Sequence, residues 1–119
     1  MIEFSENVWL EVEVKGQKGR LLVREPNALE GARYYGALEK ARVRLRAEDA
    51  EASALEALVQ LHLSLLTACV SASEGFAQEL DKEATPAARE AWLCRLPWVD
   101  IARIAGEVAT VGYPKTSAV

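Results

Sequence analysis

Residues Leu55 to Val70 read LEALVQLHLSLLTACV, and this stretch decides the fold. Ser53, Glu56, Gln60, Ser64, Thr67, Ser71 and Glu74 recur at steps of three or four and form a single polar stripe. Leu55, Leu58, Val59, Leu61, Leu63, Leu65, Leu66, Cys69 and Val70 fill almost all the rest. A helix with so narrow a polar stripe is largely surrounded by protein. The spacing predicts a central helix over 53–73. Gln60, His62, Ser64 and Thr67 interrupt the apolar run. No run of 18 apolar residues exists, so no membrane span is expected.

Upstream of this helix, Val8 to Val14 reads VWLEVEV. Val8, Leu10, Val12 and Val14 fall on one face, and Trp9, Glu11 and Glu13 on the other, which is the period of a half-buried strand. Lys15-Gly16-Gln17-Lys18-Gly19 supplies turn residues, and Arg20 to Glu25 reads as a return strand. A hairpin over 8–25 with a loop of four or five residues follows. A lone hairpin is marginal in water, so it has to pack on helices or on another subunit's strands. Asn27 with Glu30 three residues later forms a capping-box signal. The helix it opens spans 28–46, with Tyr34, Leu38, Ala41 and Leu45 on one stripe. Residues 47–54 are a helical continuation or a short break, with Asp49 or Ser53 as the next cap.

Downstream, Gly75 marks an exit, and Phe76–Glu83 reads as weakly helical and acidic. Thr85-Pro86 places proline just inside a helix start. The third helix spans 87–96 and the fourth 98–111, separated by Pro97. Ile101, Ile104, Ala105, Val108 and Val111 share one face of the fourth. Gly112-Tyr113-Pro114 stops it, and 113–119 reads as a flexible tail. The fold class is mainly α within α+β: an N-terminal β-hairpin, then a bundle of about four helices, in a single domain over 1–112. No internal repeat or low-complexity tract stands out.

The 119 residues suit one domain. Half are apolar and 27% are charged, which excludes wholesale disorder. The net charge is −4, with +2 on residues 1–47 and −6 on 48–119. An acidic chain has no general attraction for nucleic acid. The start, Met1-Ile2-Glu3-Phe4-Ser5-Glu6, lacks the basic and apolar segments of a signal peptide, so cytoplasm is the expected location.

Chemistry-bearing residues are scarce. One histidine and two cysteines cannot make a common four-ligand zinc site. Cys69 and Cys94 read as small buried hydrophobes in a reducing compartment. His62 and Cys69 lie two turns apart, about 10.5 Å of rise, too far for one metal. His62 reads as a hydrogen-bonded core histidine, with interface or pH-sensing roles as the other options. The carboxylate clusters Glu11/Glu13, Glu48/Asp49 and Glu79/Asp81/Glu83 lack the partners of acid–base catalysis. There is no GxGxxG, P-loop, CxxC or GxSxG. No enzyme activity, cofactor or metal is expected. Trp92 and Trp98 read as core. Trp9, on the acidic face of its strand, reads as an interface anchor. Arg42, Arg44 and Arg46 spread around their helix; a solvated helix end comes first, partner ion pairs second and nucleic acid last. Gly31 and Gly36 weaken the first helix by up to about 1 kcal/mol each unless another backbone approaches them. The candidate partner contacts are therefore Trp9, Gly31, Tyr35, Gly36, Arg42 and Arg46.

The order of features resembles the tail assembly chaperones of long-tailed bacteriophages. The resembling residues are Leu21-Leu22-Val23-Arg24-Glu25-Pro26, the Tyr34-Tyr35 helix, the long helix leading to Leu65-Leu66-Thr67-Ala68-Cys69-Val70, then Leu96-Pro97 and the closing Ile101–Ile104–Val108 helix. The resemblance covers nearly the whole chain as a pattern of elements rather than a motif. It implies a non-enzymatic cytoplasmic protein of the infected cell. Its partners would be the tape measure protein and tail tube subunits, and it would self-associate. It would bind neither nucleic acid nor membrane. It also implies a longer frameshifted form, for which Pro114-Lys115 is the candidate slippery site. Another phage structural or connector protein, or a small helical regulatory adaptor, is the alternative.

Overall fold

The structure, a computed structural model, describes residues 1–2, 7–47, 49, 51–111 and 113. The alternating VWLEVEV stretch is strand β1 (Val8–Val14), antiparallel to β2 (Gln17–Val23), in register from Val8↔Val23 to Val14↔Gln17. Only Lys15 and Gly16 connect them, with φ of +53° and +75°. Positive φ at both central residues is what a type I′ turn demands, and its twist matches that of the strands. The loop is thus shorter than expected. Gln17, Lys18 and Gly19 join the strand, and Lys18 sits opposite Glu13.

The long helix is α2 (Ala52–Cys69), and it stops four residues short of its expected end. Val70–Glu74 is instead a strand, β3, antiparallel to β2. The pairs are Val23↔Val70, Leu22↔Ala72, Leu21↔Ser73 and Arg20↔Glu74, with a register shift that passes over Ser71. Ser71 and Glu74 continue the helical spacing, but pairing overrides it. Leu21, Leu22 and Val23 are all buried, and β2 needs a ladder on both edges. The Arg24 N–H donates to the Cys69 carbonyl at 3.0 Å, which seals the helix-to-strand switch. Gly75 follows with φ of +89°; a Cβ there would sit 3.0 Å from the Gly19 Cα, so glycine is required.

Helix α1 (Ala28–Leu45) begins with the expected capping box. The Glu30 N–H donates to Asn27 Oδ1 at 2.9 Å, and the Asn27 N–H donates to the Glu30 carboxylate at 2.9 Å. A break separates α1 from α2, whose N-cap is Glu51 rather than Asp49 or Ser53. Phe76–Glu83 is not helical. Leu80 is buried within it and pairs with Ser73 through N–H to Oγ at 2.7 Å and carbonyl to N–H at 3.1 Å. This segment covers the outer edge of β3. Thr85 caps α3 (Pro86–Leu93), accepting from the Ala88 N–H at 3.1 Å. Tight turns through Arg95 and Leu96 end it before the expected 96. Helix α4 (Trp98–Ala109) starts after Pro97.

The architecture is broadly α+β, as expected, with the hairpin and four helices present and a third strand added to the sheet. The sheet has three strands in the order β1-β2-β3, and its third strand interrupts the helical series. The helices α1, α3 and α4 each pack on α2 rather than forming a four-membered bundle. Leu21, Val23, Leu66, Val70, Leu93, Ile101, Ile104 and Val108 are fully buried between sheet and helices. By length and composition α2, at 18 residues with mean hydropathy 1.3, is apolar enough to cross a membrane. In this fold its buried side chains Leu63, Leu65, Leu66 and Cys69 belong to the core. The expected tail over 113–119, Pro114-Lys115 included, lies outside the described residues apart from Tyr113.

Leu66 is the centre of this arrangement. Leu66→Ala should lower unfolding stability by about 2–5 kcal/mol. Leu55→Ala, on the exposed part of the same helix, should change it by no more than about 0.5 kcal/mol. Urea denaturation of the two variants checks both figures.

Candidate protein-binding surface

Helix α1 uses one face to hold on to α2 and leaves the other bare. Tyr34 and Leu38 are its buried residues. The Tyr34 hydroxyl lies 2.9 Å from His62 Nδ1 on α2, and both side chains are buried. The expected hydrogen-bonded core histidine is therefore present, and its partner comes from the neighbouring helix. Burial lowers the His62 pKa below its usual value, with Arg42 adding to the effect. Burial likewise raises that of Tyr34. At the start of α1, Arg24 grips Glu30 through two bonds of 2.8 Å. That pairing, above all, holds the Glu30 carboxyl down at about 2.

On the opposite face Leu29, Ala32, Gly36 and Val43 follow one another at helical spacing, all exposed. Leu29 is 65% and Val43 56% exposed. A heptad interval from Leu29 through Gly36 to Val43 is the sequence signal for this second stripe. It is masked by the stronger inner series of Tyr34, Leu38, Ala41 and Leu45. Between α1 and α2 runs an apolar groove of about 260 Å³, lined by Tyr34, Ala37, Leu61, Ser64, Leu65 and Ala68, with Glu30 and Arg33 at its rim. The Ser64 hydroxyl is committed to the Gln60 carbonyl at 2.9 Å. Small residues on both walls let another helix approach closely.

The candidate contact residues do not converge on one point. Gly31, Tyr35, Gly36, Arg42 and Arg46 lie on α1, and Trp9 lies on β1. Gly31 and Gly36 have no atom within 4 Å of a would-be Cβ, so no backbone of this chain approaches them. Tyr35 is exposed and meets the Tyr34 ring edge-on at 5.3 Å. Arg46 reaches Glu39 at 3.6 Å, whereas Arg42 has no ion pair among the described residues. Trp9 is only 37% exposed, because the Arg20 guanidinium lies 4.5 Å over its ring. Arg20 also binds Glu74, with Nε to carboxylate at 2.7 Å. Trp9 thus stays exposed on the outer sheet face with one side of its ring against Arg20.

Two other expectations are corrected. Trp98 is 61% exposed: it is the first residue of α4, and although its spacing puts it on the Ile101–Ala105 side, it lies beyond the end of the buried stripe. Cys94 is exposed, at the frayed end of α3. Cys69 is buried, and burial pushes its thiol up to about 11, far from an activated nucleophile. Trp92 packs edge-on against Phe76 at 5.0 Å in a cleft of about 450 Å³ that also includes Pro97, Lys18 and Arg95. There the Trp92 indole N–H donates to the Gln78 carbonyl at 2.9 Å and Arg95 binds the Gln78 side chain, so these donors are already used. Among the described residues no His, Cys, Asp or Glu group has a metal-binding arrangement.

The Tyr34–His62 contact generates a pH dependence. A folded-state pKa below the ordinary 6.5 means the neutral ring is favoured. Stability is full above pH 6.5 and falls as pH drops toward the lower folded value. Urea midpoints should therefore decline between pH 7.5 and 5.5, and His62→Leu should flatten that decline. Tyr34→Phe should cost about 1 kcal/mol at pH 7.5. Comparison with protein-family models, with curated proteins and with solved structures gives no match to this chain.

Proposed function

We propose that this chain is a non-enzymatic assembly protein that holds a helical protein client along α1, in the groove between α1 and α2. The observation that carries the reading is the one-sided packing of α1. A helix with a buried face toward α2, an apolar outer stripe and an adjoining small-residue groove suits helix-in-groove recognition. Arg33, Lys40, Arg42 and Arg44 have no ion pair within 4.0 Å among the described residues. They favour a client whose flanks carry carboxylates.

The more specific reading is a tail assembly chaperone acting in the cytoplasm of an infected cell. The client is then the tape measure protein, and tail tube subunits are the second partner. It is supported by the element order described above, a short N-terminal β segment followed by mostly helical structure. A particle-resident connector protein is the alternative, and mass spectrometry of purified virions separates the two, since a chaperone is absent from finished tails. Sequencing the encoding DNA through codons 105–119 and onward tests for a slippery run at Pro114-Lys115 and for a tape measure reading frame beyond.

Co-expression with the tape measure protein tests the groove directly. Ala68→Trp fills it from an exposed position and should weaken client binding about tenfold, roughly 1.4 kcal/mol, while thermal unfolding stays within about 2 °C of wild type. Unchanged binding by Ala68→Trp would remove the groove from the mechanism.

A further inference from the structure

One edge of the sheet is covered and the other is open. Beyond β3 the segment around Leu80 bonds to Ser73, and beyond β1 no further strand follows among the described residues. The direction of the backbone groups along β1 follows from β2. The Leu22 carbonyl accepts from the Ser71 hydroxyl at 3.3 Å, and the Arg24 N–H donates to the Cys69 carbonyl at 3.0 Å, so Leu22 and Arg24 turn their backbone groups toward β3. Leu21 and Val23, one position out of step, turn theirs toward β1, where they meet Leu10 and Val8. Trp9, Glu11 and Glu13 therefore direct their N–H and C=O groups away from the sheet. Glu13 bears this out, because its carbonyl accepts from the Arg103 guanidinium on α4. That contact occupies the far end of the edge. Trp9 and Glu11 keep their donors and acceptors without a backbone partner among the described residues.

Open strand edges invite pairing and are commonly blunted by lysine, proline or a bulge. Val8–Val14 contains no lysine and no proline, and its pairing with β2 runs without a register shift. What it carries is negative charge. On the outer face the side chains run in rows across the three strands. One row is Trp9–Leu22–Ala72, apolar throughout, and the next is Glu11–Arg20–Glu74, alternating in sign. Arg20 is committed to Glu74, and Glu11 has no ion pair among the described residues. A fourth strand would extend both rows. Beside Glu11 it would place a cation, and two positions along, beside Trp9, an aliphatic or aromatic side chain. A second copy of this chain does not meet that requirement. Antiparallel pairing of two β1 strands offers Glu11 no cation from within the strand, only Trp9, Glu11 or Glu13 on the same face.

We propose that the free edge of β1 at Trp9–Glu11 takes an extended segment of another protein as a fourth strand, and that this segment carries Lys or Arg two positions from an aliphatic or aromatic residue. Main-chain bonds to Trp9 and Glu11 supply the pairing, and the two rows select the side chains. Arg103 at the Glu13 carbonyl limits the length, so the added strand runs alongside residues 8–12. This site belongs to the sheet and does not rest on the groove between α1 and α2.

The test uses the full chain, isotope-labelled, and two end-blocked peptides, Thr-Val-Thr-Lys-Thr-Val-Thr and its counterpart with Glu in place of Lys. Amide hydrogen exchange followed residue by residue by NMR is the readout. In the free protein the Leu10 and Val12 amides should exchange slowly and the Trp9 and Glu11 amides fast. The lysine peptide at millimolar concentration should slow Trp9 and Glu11, and the effect should weaken as salt is raised. The glutamate peptide should leave both fast. Glu11→Gln should weaken binding of the lysine peptide about threefold, and Glu11→Lys should reverse the preference between the two peptides. The Glu11 side chain is exposed, so both variants should keep the wild-type unfolding temperature. Ala68→Trp should bind the lysine peptide as wild type does, which separates failure of this edge from failure of the groove. No slowing by the lysine peptide, equal slowing by the glutamate peptide, or a preference that survives Glu11→Lys overturns the proposal. So do slow Trp9 and Glu11 amides in the free protein, since the edge is then already covered, by a second copy if the slowing grows with protein concentration.

Discussion

Helix passes into strand at Cys69–Val70 with no loop between them, and the two layers of the molecule are joined at that point. Val70 pairs with Val23, and the Cys69 carbonyl accepts from the Arg24 N–H. The chain that leaves the sheet toward α1 and the chain that enters it from α2 are therefore clamped side by side. Because α2 is anchored there, α1, α3 and α4 can all use it as their packing surface. The cost of fixing the backbone over β3 is offset by burial of Val70 and Ala72 on opposite faces of the strand.

This anchoring explains why α1 is so sparsely held. It meets α2 along one side and the rest of the fold mainly through Arg24–Glu30. Surface ion pairs contribute little by themselves, so the Tyr34–His62 contact and the packing of Leu38 carry most of its attachment. A helix held along one side has surface to spare. On α1 that surface is apolar along Leu29, Gly36 and Val43 and basic beside it. The positive half of the sequence is thus concentrated on an element that projects from the core, a distribution suited to meeting another protein.

The parts legible in the sequence were those set by local chemistry. The capping box at Asn27–Glu30, the Thr85-Pro86 start, the Pro97 break and the alternation of VWLEVEV each involve residues within a few positions of one another. The inner stripe of α1 and the core face of α4 followed from periodicity. The proposed contact surface is legible only in part. Gly36, Tyr35 and the arginines stand out in the sequence and lie on α1, whereas Leu29, Val43, Ala37 and Ala68 do not stand out. Their pattern is visible only once the opposite face is known to be taken by α2.

By itself, then, the sequence determined most of the helical and extended segments and where most of them start. Those properties depend on side chains acting on their own backbone or on neighbours three or four positions away. Tertiary structure alone decided that Val70–Glu74 is a strand, since its ladder partner, β2, lies some fifty residues earlier in the chain. It also decided that Arg20 lies over the Trp9 ring, that Trp98 is bare, and that His62 meets Tyr34. Each of these depends on which of two possible faces another element reached first, and no local pattern carries that information.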